Sequence, residues 1–316
     1  MITAIVSTLT LALAPGTPMG DVVEKVKVFP SLRVISTCPA PTGAKILVAL
    51  ENKDVRIFDA KLGMSLRTLS GHPDPVYGLA WSPNGKFIAT GDDKARIWIW
   101  DAVTGKKLRE MPRDNAHTRG VSALSFSADG KYLASTGNDD VIFIWDVAAR
   151  KKVGRILGNG INVYHATFMG GGRLAVATLG KGIVIYNTKT WQLVASYDGH
   201  KGQGVLSIAA AKDGGRAISG GKDGNAIVWS LAAKKPIGVL RGHQDFVMNV
   251  AISPNGLLAA TSSSDRSVMI WNLKSMKKVG ELINQSMIGA PVCFSGDGKW
   301  LISSTDADGL QINAVK

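Results

Sequence analysis

The chain has 316 residues, 45% hydrophobic and 19% charged, a composition that supports a large buried core and excludes a disordered polymer. Its 37 Lys plus Arg against 24 Asp plus Glu leave a formal charge of +13, which bears on solubility and anionic partners and not on fold. Two cysteines cannot build a disulfide framework, and no apolar run is long enough to cross a bilayer as a helix.

The opening, MITAIVSTLTLALAPGTPMG, has the length and apolar centre of a secretory signal, with Ala12-Leu13-Ala14 as an A-x-A site. No Lys or Arg precedes the apolar part and Pro15 would follow the cut, so a disordered or strand-forming N-terminus is the alternative. The expectation is a leader over 1–20, a secreted or periplasmic compartment ahead of a cytoplasmic one, and a single domain over 21–316. EKVKVF, from Glu24 to Phe29, then reads as a strand standing ahead of any repeat.

From there the chain repeats. An aromatic followed by Asp, Asn or Ser returns at Phe58, Trp100, Trp145, Tyr186, Trp229 and Trp271, with Asn313 in the last copy, at intervals of 42, 45, 41, 43, 42 and 42 residues. A fixed period of this size marks an array. In the copy FSADGKYLASTGNDDVIFIWD, residues 126–146, alternation around an Asp-Gly turn and the apolar run Val141–Trp145 give three strands, and RKKVGRIL supplies a fourth. Four short antiparallel strands per period predict an all-β, seven-bladed β-propeller. The last copy ends about where its third strand finishes, so the N-terminal strand is expected to complete that blade and close the ring, since an open array leaves raw strand edges. Cys38 and Cys293 fall on equivalent strands at positions of opposite parity, which predicts two free, buried thiols facing opposite ways.

The dipeptides Trp100-Asp101 and Trp145-Asp146, joined by Gly71-His72, Gly199-His200 and Gly242-His243, carry a family likeness. The chain resembles the WD-repeat propellers over essentially its whole length from about Asp21. The resemblance implies a hydrogen-bonded chain of His, Ser or Thr, Asp and Trp that locks a blade. The third blade offers His117, Ser135, Asp139 and Trp145; the fifth, His200, Ser219, Asp223 and Trp229; the sixth, His243, Thr261, Asp265 and Trp271. The second keeps His72, Thr90 and Trp100 and reads as carrying one extra residue, a bulge, around Asp92-Asp93-Lys94. The fourth, with Tyr186-Asn187, and the first and seventh, with Phe58-Asp59 and Ile312-Asn313, depart from the pattern and are expected to be held mainly by packing. A His-Ser-Asp set also invites a hydrolase reading. Recurrence in three blades with the Trp attached argues against it, because a hydrolase needs one open site with an oxyanion hole.

No Cys pair has zinc spacing, and neither a Walker loop nor a His-Glu-x-x-His motif occurs, so no metal, cofactor or catalytic residue is assigned. Gly170-Gly171-Gly172 belongs to a hairpin turn. His165, beside Tyr164, reads as a satisfied or solvated imidazole, with a metal or catalytic role as the alternative. Lys86, Lys131, Arg173, Arg216 and Lys299 read as the same point of successive hairpins, and Lys106-Lys107, Lys151-Lys152, Lys234-Lys235 and Lys277-Lys278 precede the outer strands. Both sets fall on one face, either as a basic annulus for polyanions or as solvated turns; few aromatics accompany them for base stacking. The opposite face carries Asp74, Tyr77, Arg119, Tyr164, Phe246, Met248 and Arg266, residue types enriched at protein interfaces. The resemblance implies that this face and the central channel hold peptides or partner domains. The reading is a non-catalytic protein-interaction scaffold, a monomer by itself. The alternatives are an enzyme or small-ligand binder using the channel, and a binder of anionic polymers or surfaces through the basic face; fold alone does not choose among them.

Overall fold

A computed structural model of the protein describes residues 22–29, 32–113, 116–158, 163–180, 182–286, 291–305 and 309–316; the leader expected over 1–20 lies outside them. The described residues form seven four-stranded antiparallel sheets arranged as the blades of a propeller. The third blade is typical: Val121–Phe126 is innermost, followed outward by Tyr132–Gly137, Val141–Asp146 and Lys151–Leu157. The burial of these strands follows from their sequence. VIFIWD is apolar on both sides because neighbouring blades cover both of its faces, whereas KKVGRIL alternates and keeps one side in water. Each core cluster therefore spans two blades, as where Phe143 and Trp145 pack with Ala89, Ile97 and Ile99 of the second blade.

The ring closes through its two ends. Val23–Phe29 is the outer strand of the seventh sheet, beside Leu310–Val315, Trp300–Ser304 and Cys293–Phe294. Val23 lies opposite Val315 and Phe29 opposite Leu310, and the Lys316 amide donates to the Val22 carbonyl at 2.8 Å. The exposed edge that the C-terminal strand would otherwise present is thus paired.

One irregularity recurs. Near the start of the inner strand the register slips between Val34 and Ser36, Val76 and Gly78, Val121 and Ala123, Val163 and His165, Val205 and Ser207, and Val247 and Asn249. Such a bulge takes one residue out of the ladder and re-aims its side chain. Those residues are Ile35, Tyr77, Ser122, Tyr164, Leu206 and Met248, and they stand where the inner strands begin, around one mouth of the central channel.

Candidate partner-binding face

Beneath that mouth lie the polar networks that fix its loops. In the third blade the Trp145 indole N–H donates to Ser135 Oγ at 2.9 Å, Ser135 Oγ meets His117 Nε2 at 2.8 Å, and His117 Nδ1 meets Asp139 at 2.9 Å. The fifth blade repeats this through Trp229, Ser219, His200 and Asp223, and the sixth through Trp271, Thr261, His243 and Asp265. A carboxylate only accepts, so the neutral imidazole must carry its hydrogen on Nδ1; Nε2 then accepts from the hydroxyl, which accepts from the indole. In these three blades the indole N–H, the hydroxyl, both imidazole nitrogens and the carboxylate all find partners. The second oxygen of Asp139 accepts from the backbone N–H of Thr118 at 2.8 Å, and the oxygen of Asp265 that meets His243 accepts as well from the backbone N–H of Gln244 at 2.9 Å, so the network pins the loop leading to the inner strand.

The second blade is built differently from the expectation. Thr90 and Trp100 are ten residues apart, as Ser135 and Trp145 are, so no residue is inserted. The acid has moved: Lys94 fills the turn position, and the buried Asp92 meets His72 Nδ1 at 3.0 Å from the neighbouring strand. Asp92 stands at the place of Gly137 and Gly221, where any Cβ would collide with the His–Asp pair of those blades. It accepts further from the Lys94 and Arg96 amides at 3.0 and 2.9 Å. Burial works to raise the carboxyls of Asp92, Asp139, Asp223 and Asp265, but hydrogen bonds from the histidines and turn donors outweigh it, and all four lie below the usual carboxylate range.

The seventh blade adds an amide network to its packing. Asn313 stands where four of the other blades have Trp and two have Phe58 or Tyr186, and its Nδ2 donates to the Leu301 carbonyl at 3.1 Å while its Oδ1 accepts from Gln311 at 2.7 Å. Gln285, 42 residues after His243 and in its place, donates to Gln311 at 3.5 Å. Amides replace the imidazole and indole, and the residue matching Thr261, Ser303, keeps a buried hydroxyl with no partner.

Around the mouth, Tyr77 and Tyr164 are 43% exposed and Phe246 is 42% exposed, the only exposed aromatic rings among the described residues. Met248 is half-buried, and Arg119 is exposed. Asp74 is tied down by Arg96 at 2.8 Å, and Arg266 lines a cleft toward the outer rim with Lys25 and Glu281; neither joins the aromatic group. Ile35, Ser122 and Leu206 share the bulge position and were not legible as face residues, because a bulge leaves no composition signal.

The channel holds a central cavity of about 340 Å³ lined by inner strands of all seven blades, including Cys38, His165, Asn249 and Cys293. None of its lining residues is Asp, Glu, Lys or Arg. His165 is not a satisfied imidazole: its Nδ1 has no protein partner, and burial pushes its pKa down to about 4 against a hydrogen bond to the Ile208 backbone. Cys38 and Cys293 are unpaired and pack in different blade interfaces, but both reach this cavity. Cys38 is half-buried, not buried as expected. Burial raises both thiols to about 12, that of Cys38 with help from Cys293, which leaves them poor nucleophiles. Among the described residues no cluster of His, Cys, Asp and Glu has a geometry for a metal ion, and no helix is long and apolar enough to cross a membrane.

On the other face the expected basic set divides. Lys86, Lys131 and Lys299 share one turn position, whereas Arg173 and Arg216 come one residue later, opposite Asn187 and Ser230 as Tyr132 is opposite Asp146. From there Arg173 and Arg216 bond carbonyls of the next blade's turn, Gly214 and Gly256, at 3.2 and 2.9 Å. The lysine doublets split likewise: Lys107 lies over the Trp98 ring at 3.7 Å and Lys152 over Phe143 at 4.6 Å, along the rim.

Comparison with known proteins places these features in a wider group. The WD40 family, described as "WD domain, G-beta repeat", matches over residues 63–101, 105–146, 191–230 and 234–272. WD repeat-containing protein 82 of Drosophila melanogaster is 32% identical over 77 residues, 23% of this chain and 24% of that protein. Coronin-7 of Bos taurus is 39% identical over 62 residues, 19% of this chain and 7% of that protein. Nuclear distribution protein PAC1 of Arthroderma benhamiae is 44% identical over 62 residues, 19% of this chain and 13% of that protein. The matched stretch is thus a quarter or less of each of these relatives.

Proposed function

Since this chain belongs to the WD40 family (WD domain, G-beta repeat), whose propellers generally act as protein-interaction scaffolds, we propose that it is a non-catalytic scaffold. It grips a peptide or partner domain at the mouth bordered by Tyr77, Tyr164, Phe246 and Met248. The observation that carries this reading is the gathering of all three exposed aromatic rings of the described residues on one face. Three of the four side chains that matter, Tyr77, Tyr164 and Met248, sit on bulges of paired inner strands, so little backbone freedom is lost when a partner arrives. Aromatic anchors of this kind dominate interface energetics, each costing on the order of 2 kcal/mol or more on truncation.

The test is capture of partners from native extract by the intact chain and by the combined Tyr77→Ala, Tyr164→Ala and Phe246→Ala variant, at low and high salt. A protein retained at high salt by the parent and lost by the variant supports the reading. Capture that is salt-labile and indifferent to the three substitutions contradicts it.

A further inference from the structure

We propose that the flat face opposite the aromatic mouth docks on an anionic lipid surface, so that the disc presents its partner-binding mouth to solution. Each of the six blades that has a turn between its third and outer strands carries an exposed lysine there: Lys61, Lys106, Lys189, Lys234 and Lys274 in the turn, and Lys151 as the first residue of the outer strand. Lys86, Lys131 and Lys299 add an inner set on the same face. Two carboxylates there, Asp101 and Asp129, are held in their own turns, whose hydrogen-bond donors keep both below the usual carboxylate range. Asp101 accepts from the Thr104 and Val103 amides, and Asp129 from Ser127 and the Lys131 amide, so they offset part of the charge without binding the six outer lysines. The network carboxylates Asp92, Asp139, Asp223 and Asp265 all lie toward the other face. The disc is therefore electrically two-sided, and a negative surface orients it.

Three features favour a membrane over a nucleic acid. The exposed lysines form an annulus on the turns of one flat side, which a planar surface meets all at once and a duplex meets only along a strip. Among the described residues no aromatic ring is exposed there, so the stacking that single strands need is missing. The same turns expose apolar side chains, Val103 at 73%, Leu62 at 59% and Leu257 at 54%, which are a liability in water and a gain at a lipid interface.

The experiment is co-sedimentation of the full chain with phosphatidylcholine vesicles with and without about 30 mol% phosphatidylserine, across about 50 to 500 mM salt. Three variants are compared: the six outer lysines changed to Ser, Leu62→Asp with Val103→Asp, and Tyr77→Ala with Tyr164→Ala. All substitutions fall on exposed side chains, and unchanged urea unfolding verifies that each variant is folded. The proposal expects binding only with the anionic lipid, about tenfold or more weaker for the lysine variant and weakened by the two aspartates, with the tyrosine variant unaffected. Failure to bind the anionic vesicles at low salt overturns it. So does equal or tighter binding to duplex DNA that is indifferent to the aspartates, which would assign the face to a nucleic acid.

Discussion

Ser135 Oγ is shared between an indole and an imidazole, so Ser135→Ala strands Trp145 Nε1 and His117 Nε2 together in a buried site. Unfolding in urea should show a loss of about 2 kcal/mol or more. The matching hydroxyl of the seventh blade, Ser303, has no partner, and Ser303→Ala should change stability by no more than about 0.5 kcal/mol. Equal losses at the two sites would contradict the networks described. In the second blade, Asp92→Gly should cost about 1–3 kcal/mol, and Lys94→Asp added to it should recover most of that by restoring the turn carboxylate of the other blades. Residue types were legible here wherever spacing was regular. The displaced acid of the second blade is not legible from spacing, because a side chain reaching its partner from a neighbouring strand position leaves the spacing of the other members unchanged. His165 makes a pH prediction. Its folded value lies near 4 and its unfolded value near the ordinary one, so the unfolded chain binds the extra proton, and stability falls as pH drops from about 6.5 to about 4, by about 3 kcal/mol if fully expressed. The depressed network carboxylates act lower: their contribution is present above about pH 4 and is lost as pH falls through their folded values. Denaturation across pH 4–7 should show the upper slope in the parent and not in His165→Gln.

The strand Val23–Phe29 contributes no ring to the repeat pattern, yet it covers the one edge that the array cannot cover by itself. Deleting residues 21–30 should yield an aggregating or unfolded chain, whereas removing three residues from 112–116, the stretch before His117 that accounts for the longest repeat interval, should leave a soluble one; solubility and the urea midpoint report the difference. This element was legible because the count of strands per period left the last blade one short. The bulges were not, because a slipped residue changes pairing and leaves composition alone, and so Ile35, Ser122 and Leu206 escaped notice while Tyr77 and Tyr164 stood out only by being aromatic. The amide network of Gln285, Gln311 and Asn313 escaped for a similar reason. It keeps the repeat's positions with different side chains, and a motif defined by residue type passes over it.

At the scale of the whole molecule, the fold is a rigid disc whose two faces have diverged: one gathers aromatic rings over pinned loops, the other carries lysines on repeated turns. No Asp, Glu, Lys or Arg lines the cavity between them, and the account rests on the mouth as a surface for gripping another chain. The measurement that tests this most directly is site-specific photo-crosslinking in native extract, with a benzophenone side chain placed at Tyr77 or Tyr164 and, as the comparison, at Thr190 on the lysine face. The account predicts discrete protein adducts from the two mouth positions that persist at high salt and are absent from position 190. Adducts from position 190 alone, or none from the mouth in any extract where the chain is present and folded, would contradict it.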